Sequence, residues 1–368
     1  MKFAVIADVH LGNHRRFGGQ TMSGLNERFK HCERILHAAA LLAQSNDLAL
    51  FIAGDLFDTD HPTPQMVTAA IGALNRLEQL ILLVGNHDQS SASTHDHALG
   101  PFCIPSRRWS DVGVIEHPHS VLFGHGTVLC IPHAVVQSVA THIETCFAEL
   151  PGSKDVFILH FGIADDATPA FLRNAPDAIH INDLLKIMRK YKVHYAYAGN
   201  WHHHQRWEFF EDGERYYITQ CGALVPTGFD NPGMGYGKLI IHESGQPPQV
   251  RQIPGGPRFF TGSFEDFDLD EAADIAQEYS VYLQLKVNPG NIPAAMVALA
   301  RLKGKIAGFQ LLPNRAVVSA AARTAARFVR NTTSVDEAVA AYIKTIDLPN
   351  GADRAQVQAL VKGYLSAT

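Results

Sequence analysis

Three apolar runs near the start of the chain each stop at polar side chains: KFAVIADVH (2–10), DLALFIAGDLFD (47–58) and LILLVGNHD (80–88). Each is short and almost wholly apolar, as a strand buried on both faces must be. Between them, Leu25, Phe29, Cys32, Leu36 and Ala39 recur at helical spacing, and PQMVTAAIGALNRLEQL (64–80) opens with proline in its first turn. This alternation predicts a buried sheet covered by helices. Short strands are expected over 111–133 and helices over 135–150 and 181–192, with strands DVFILHFG (155–162) and VHYAYAGNWH (193–202). The rhythm then changes to hairpins, RWEFFEDGERYYITQ with an Asp212–Gly213 turn, and GKLIIHESGQPPQVRQIP. The fold class expected is α/β, an α+β sandwich of two sheets with flanking helices.

The stretch IPGGPRFF (253–260) marks a boundary. One domain is therefore expected over 1–260 and a small βαβ capping domain over 261–330. Two C-terminal helices are expected over 331–368. The first opens with the capping box Ser334–Glu337; the second carries the apolar stripe Val357, Leu360, Val361, Tyr364 and Leu365.

Composition excludes several classes. Of 368 residues 46% are apolar and 18% charged, with net charge −5, so the chain is not a polybasic nucleic-acid binder as a whole. The five cysteines are scattered without a CxxC pair, which argues against a disulfide framework or a zinc finger and for reduced core thiols. The N-terminal apolar run is too short for a signal peptide, and no stretch approaches the ~20 apolar residues of a membrane span. A cytoplasmic protein is expected.

Chemistry gathers where the strands stop: Asp8 and His10, Asp55 and Asp58, Asn86, His87 and Asp88, His160, then Asn200 to His204. Ends of neighbouring strands share one edge of a sheet, where α/β proteins bind ligands. Carboxylate, carboxamide and imidazole together suit Mn²⁺, Fe²⁺ or Zn²⁺. The candidates exceed the needs of one ion, so two ions ~3.5–4 Å apart are expected. Each fragment is common alone; the order D-x-H, G-D-x-x-D, G-N-H-D, H, G-N-x-H is very hard to obtain by accident.

That order, as DVH (8–10), GDLFD (54–58), GNHD (85–88), LHFG (159–162) and GNWH (199–202), resembles the calcineurin-like metallophosphoesterase superfamily. AGDLFDT, LVGNHD and CGALVPTGFDN are most similar to its SbcD-type DNA repair and recombination nucleases, bacterial or phage. The resemblance implies that Asp8, His10 and His202 hold a first ion and that Asp55 bridges two. It implies that Asn86 and His160 hold the second. His87 would sit over the scissile phosphate as acid or charge stabiliser, with Asp58 orienting it or structuring the loop. The cofactors implied are two divalent ions, Mn²⁺ first and Mg²⁺ as the alternative.

Asn200 departs from the pattern, because the family has histidine there as a ligand of the second ion. Three readings stay open: an oxygen ligand, a position left to water, or His203 or His204 swinging in. Strand alternation disfavours the last. The Ser/Thr phosphatases of the superfamily carry an arginine after the second motif, where this chain reads GDLFDTD.

From Arg301 to Arg330 there are seven basic residues and no acidic ones, with Arg323, Arg327 and Arg330 on one helical face. These, and Arg15 and Arg16 in LGNHRRFGG, are candidate DNA contacts. The resemblance further implies DNA ends or single strands as substrate, an SbcC-type SMC-like ATPase as partner, and a homodimer. The alternatives are a stand-alone small-molecule phosphodiesterase, or a DNA-end or ATPase-binding scaffold with an incomplete second metal site.

Overall fold

The apolar runs become the strands their composition requires. The computed structural model describes residues 1–14, 21–22, 24–90, 96–103, 111–150, 152–229 and 234–314. Arg15, Arg16, Arg323, Arg327, Arg330 and all of 331–368 lie outside the described residues, and with them the DNA-contact and C-terminal-helix expectations.

The first half runs β1 (Lys2–Ile6), α1 (Glu27–Ser45), β2 (Ala49–Ile52), α2 (Pro64–Leu74), β3 (Gln79–Leu83) and β4 (Asp111–Ile115). Helix α1 is capped by Asn26, whose side-chain oxygen accepts from the Phe29 amide. Helix α2 ends at Leu74, earlier than the 64–80 pattern suggests, because Leu80 belongs to β3 and packs in the core. The chain continues through β5 (His119–Phe123), β6 (Gly126–Ile131), α3 (Val139–Glu149), β7 (Val156–Leu159), α4 (Ile181–Tyr191) and β8 (Tyr195–Ala198). Two hairpins follow, β9 (Gln205–Glu211) with β10 (Glu214–Gln220), and β11 (Met234–Glu243) with β12 (Gln249–Ser263). The first turns at Asp212 and Gly213, both at positive φ, as a two-residue hairpin turn demands.

One sheet has eight strands, six of which run β12–β11–β1–β2–β3–β4, and the other runs β9–β10–β8–β7–β6–β5. The inner faces meet in a layer that includes Phe3, Phe51, Ile158 and Tyr197. Helices α1 and α2 cover the outer face of the first sheet, and α3 and α4 that of the second. The molecule is thus the helix-flanked sandwich of two mixed sheets that the sequence predicts. Four of the five cysteines are free and buried; Cys103 is exposed, against the expectation of a core thiol.

The stretch 253–260 runs up to the first break between the chain's two units, at Phe260 and Thr261. It lies within β12, and a register shift between Met234 and Tyr236 on the partner strand accommodates it. By contacts the chain divides into two units, one of Met1–Phe260, Asp268–Leu283 and Gly304–Phe309, the other of Thr261–Phe267, Gln284–Lys303 and Gln310–Thr368. In the second, the Glu265 carboxylate accepts from the Asn288 amide (3.2 Å) and Asn291 Nδ2 (2.8 Å) ahead of the helix Ile292–Ala300.

Candidate metal centre

Strands β1, β2 and β3 are parallel, so their C-terminal ends share one edge; β6, β7 and β8 do the same in the second sheet. Asp8 and His10 follow β1, Asp55 follows β2, and Asn86 and His87 follow β3. From the second sheet come His160 after β7, and Asn200 and His202 after β8. Ligand atoms of Asp8, His10 and His202 lie within 4.8 Å of one another, as do those of Asp8, Asp55 and His160. Asp55 Oδ2 stands 3.7 Å from His10 Nε2 and 3.4 Å from His160 Nε2, between the two groups. Asn86 Oδ1 is 2.9 Å from His160 Nε2, on the second side.

The backbone is bent to achieve this. Asp8 (φ 49°), His10 (φ 48°), Asp55 (φ 51°) and Asn200 (φ 80°) all occupy the left-handed region. Such conformations cost roughly 1–3 kcal/mol each and persist where the surroundings over-determine them, commonly at functional sites. The glycines before the carboxylate and the carboxamide make room. A Cβ on Gly54 would lie 1.9 Å from His160 Nδ1, and one on Gly85 2.1 Å from Asp55 Oδ1.

A second layer orients the ligands. His160 Nδ1 donates to the Ala53 carbonyl at 2.6 Å, which turns Nε2 toward the site. His10 Nδ1 is 3.2 Å from Asp58 Oδ1, and His14 Nδ1 is 3.1 Å from Asp58 Oδ2. His202 Nδ1 is 3.2 Å from Thr227 Oγ1. Asp88 is fully buried and accepts from the amides of Leu56, Phe57 and Gly85, tying two of the site loops together.

Two expectations change here. The Asp58 carboxylate does not reach toward His87; it serves His10 and His14, and Asp58 meets His87 only through its main-chain oxygen, 3.4 Å from Nδ1. And the histidines after Asn200 lie between strands, so strand alternation does not set their directions. His203 is exposed, and His204 Nδ1 is tied to the Cys221 carbonyl at 3.0 Å. Asn200 donates its backbone N–H to Asp8 Oδ1 (2.9 Å) and Nδ2 to Asp177 Oδ2 (2.8 Å). His87 is exposed, with its amide on Asp55 Oδ1 (2.9 Å) and its ring edge-on to His10.

The electrostatics suit cations. Burial pushes the Asp8 carboxyl up to about 6. Burial works to lower His160, yet Asp55 and then Asp8 raise it to about 9, so the pocket favours positive charge. Asp8 Oδ2 is buried with no hydrogen-bond partner among the described residues. A bare carboxylate oxygen among imidazoles and a carboxamide fits a divalent ion. A separate group, His97, Cys103 and Glu116, has its imidazole engaged at both nitrogens, by the Leu99 amide and by Glu116.

Residues 1–206 match the model of the calcineurin-like phosphoesterases. The chain belongs to that family. The phosphoesterase therefore hydrolyses phosphoester bonds with divalent metal ions, and this edge of its sheets supplies the ligand types that chemistry needs. None of the curated proteins matches it. Among solved structures, a protein of unknown function from Aquifex aeolicus is similar over 50% of this chain and 92% of its own, at 12% identity and a TM-score of 0.27. That superposition is too loose to bear on function. No described helix of the phosphoesterase is long and apolar enough to cross a membrane.

Proposed function

We propose that this phosphoesterase is a DNA nuclease of the SbcD type. Asp8, His10 and His202 would hold the first of two divalent ions, Mn²⁺ or else Mg²⁺, with Asp55 bridging and Asn86, His160 and Asn200 holding the second. The ions would supply Lewis acidity and an activated water for in-line attack on phosphorus. The chain's own residues set the rest. Asp58 holds His10, Ala53 holds His160, and Thr227 faces His202, so the ligands are oriented before substrate arrives. His87 places Nδ1 toward the Asp58 carbonyl, which makes Nε2 the atom for handing a proton to the leaving oxygen.

The observation that carries the diester reading is the second motif, Gly54–Asp60, which contributes carboxylates and no arginine. A monoester dianion needs more positive charge than a diester monoanion does. Thr59, hydrogen-bonded to Asp60 at 3.2 Å, stands at the sequence position that the phosphatases give to arginine. DNA is the diester favoured because the motif style is that of the SbcD nucleases and because seven basic residues concentrate in 301–330. The same reading expects an SbcC-type ATPase partner and a homodimer.

The test is cleavage of linear duplex and single-stranded DNA in Mn²⁺ by the wild type and by His87→Ala. Cleavage by the wild type and its loss in the variant support the nuclease. Hydrolysis of bis-p-nitrophenyl phosphate without any cleavage of DNA, even with the ATPase added, would identify a small-diester phosphodiesterase instead. One bound ion and no hydrolysis of either would identify a scaffold.

A further inference from the structure

We infer that Asp177 is a positioning residue that turns the Asn200 carboxamide so that its oxygen faces the second metal ion; this rests on the two-ion reading above.

The main chain of Asn200 has no freedom to do this by itself. Its N–H is held by Asp8 Oδ1. The carbonyls on either side, of Ala198, Gly199 and Trp201, all accept from one buried amide, Gln220 Nε2, at 3.1, 2.8 and 3.2 Å. Only the side-chain torsions remain. An asparagine carboxamide offers a donor on one arm and an acceptor on the other, and nothing intrinsic to the residue decides which arm turns inward.

Asp177 decides it. A carboxylate only accepts, so the arm at 2.8 Å from Asp177 Oδ2 must be the Nδ2 donor. Among the described residues no hydrogen bond engages the oxygen arm, which leaves it for a cation. Asp177 is itself fixed, since its carbonyl accepts from the Gly162 amide at 2.9 Å, two residues beyond His160. An asparagine at this position requires a dedicated acceptor, and Asp177, 23 residues upstream, provides one.

The test is a Mn²⁺ titration of the full chain, reading free Mn²⁺ by electron paramagnetic resonance and folding by circular dichroism. The wild type should bind two ions. Asp177→Ala should weaken the second by roughly 10–100-fold and leave the first unchanged, the usual range for losing an outer-shell partner. Asp177→Asn, which keeps an accepting oxygen, should restore most of the affinity. In an Asn200→Ala background, Asp177→Ala should have no further effect. Unchanged second-ion affinity in Asp177→Ala, or an undiminished penalty without the carboxamide, would overturn the assignment. So would unchanged affinity in Asn200→Ala alone, a result that does not depend on the Asp177 variant folding. One ion per wild-type chain would instead overturn the two-ion reading, and this assignment with it.

Discussion

The Nε2 atoms of His10 and His202 face each other 2.9 Å apart, though 192 residues separate them in the chain. His10 Nδ1 lies 3.2 Å from a carboxylate oxygen of Asp58, which favours the tautomer that carries its proton on Nδ1 and a lone pair on Nε2. Only a proton or a cation can stand between it and the second imidazole. The pair therefore defines one side of the centre, and Asp58 controls it from behind.

Replacing Asp58 with alanine should weaken the first ion by roughly 10–100-fold, because His10 loses the partner that fixes its tautomer. The second ion, which Asn86 and His160 would hold, should be little affected. Isothermal titration with Mn²⁺ checks this; equal losses at both sites would mean that Asp58 acts on the whole loop rather than through His10.

For His87 the expectation is the reverse. The Asp55 contact runs through the His87 backbone amide, which alanine retains. His87→Ala should lower kcat by roughly 10²–10⁴ while both ion affinities stay within twofold of wild type. Loss of an ion would place His87 among the ligands.

Gly85→Ala should be poorly tolerated. The new Cβ would lie 2.1 Å from Asp55 Oδ1 and 2.3 Å from the Asp55 amide nitrogen, and neither can retreat from its buried place. Overpacking of this kind costs typically 1–3 kcal/mol. Denaturant melts of the metal-free variant should show that loss, and both ions should bind more weakly if Asp55 bridges them as proposed. Wild-type stability would contradict the close packing described.

His242 supplies a pH dependence far from the centre. It is fully buried, stacked on Phe3 at 4.5 Å, edge-on to Tyr195, and 2.9 Å from the Tyr197 hydroxyl. Burial, aided by the nearby amino terminus, pushes its imidazole down to about 3. The unfolded chain takes up that proton near 6.5, so below this value the unfolded state binds more protons. Stability should fall as pH drops from about 6.5 toward 3, by up to about 1.4 kcal/mol per pH unit from this group. Urea melts of metal-free protein should show a shallower slope in His242→Gln; an identical slope would mean that other groups dominate.

The sandwich was legible because buried parallel strands are written as unbroken apolar runs, and the metal cluster because each run ends in a ligand type. What stayed hidden was the second layer. Thr227 lies within CGALVPTGFDN (221–231), yet nothing local marks its hydroxyl as a neighbour of His202. Asp88 looks like one more strand-end acid, but three main-chain amides make it a structural clamp. The left-handed turns at Asp8 and His10 involve no glycine and so left no trace in the sequence.

The most direct test is a crystal structure of the protein grown in Mn²⁺, with data collected at the manganese absorption edge. Two anomalous peaks ~3.5–4 Å apart are expected. One should lie among Asp8, His10 and His202, the other among Asn86, His160 and Asn200, with Asp55 between them. A single peak, or a pair that Asp55 does not bridge, would contradict the two-ion reading.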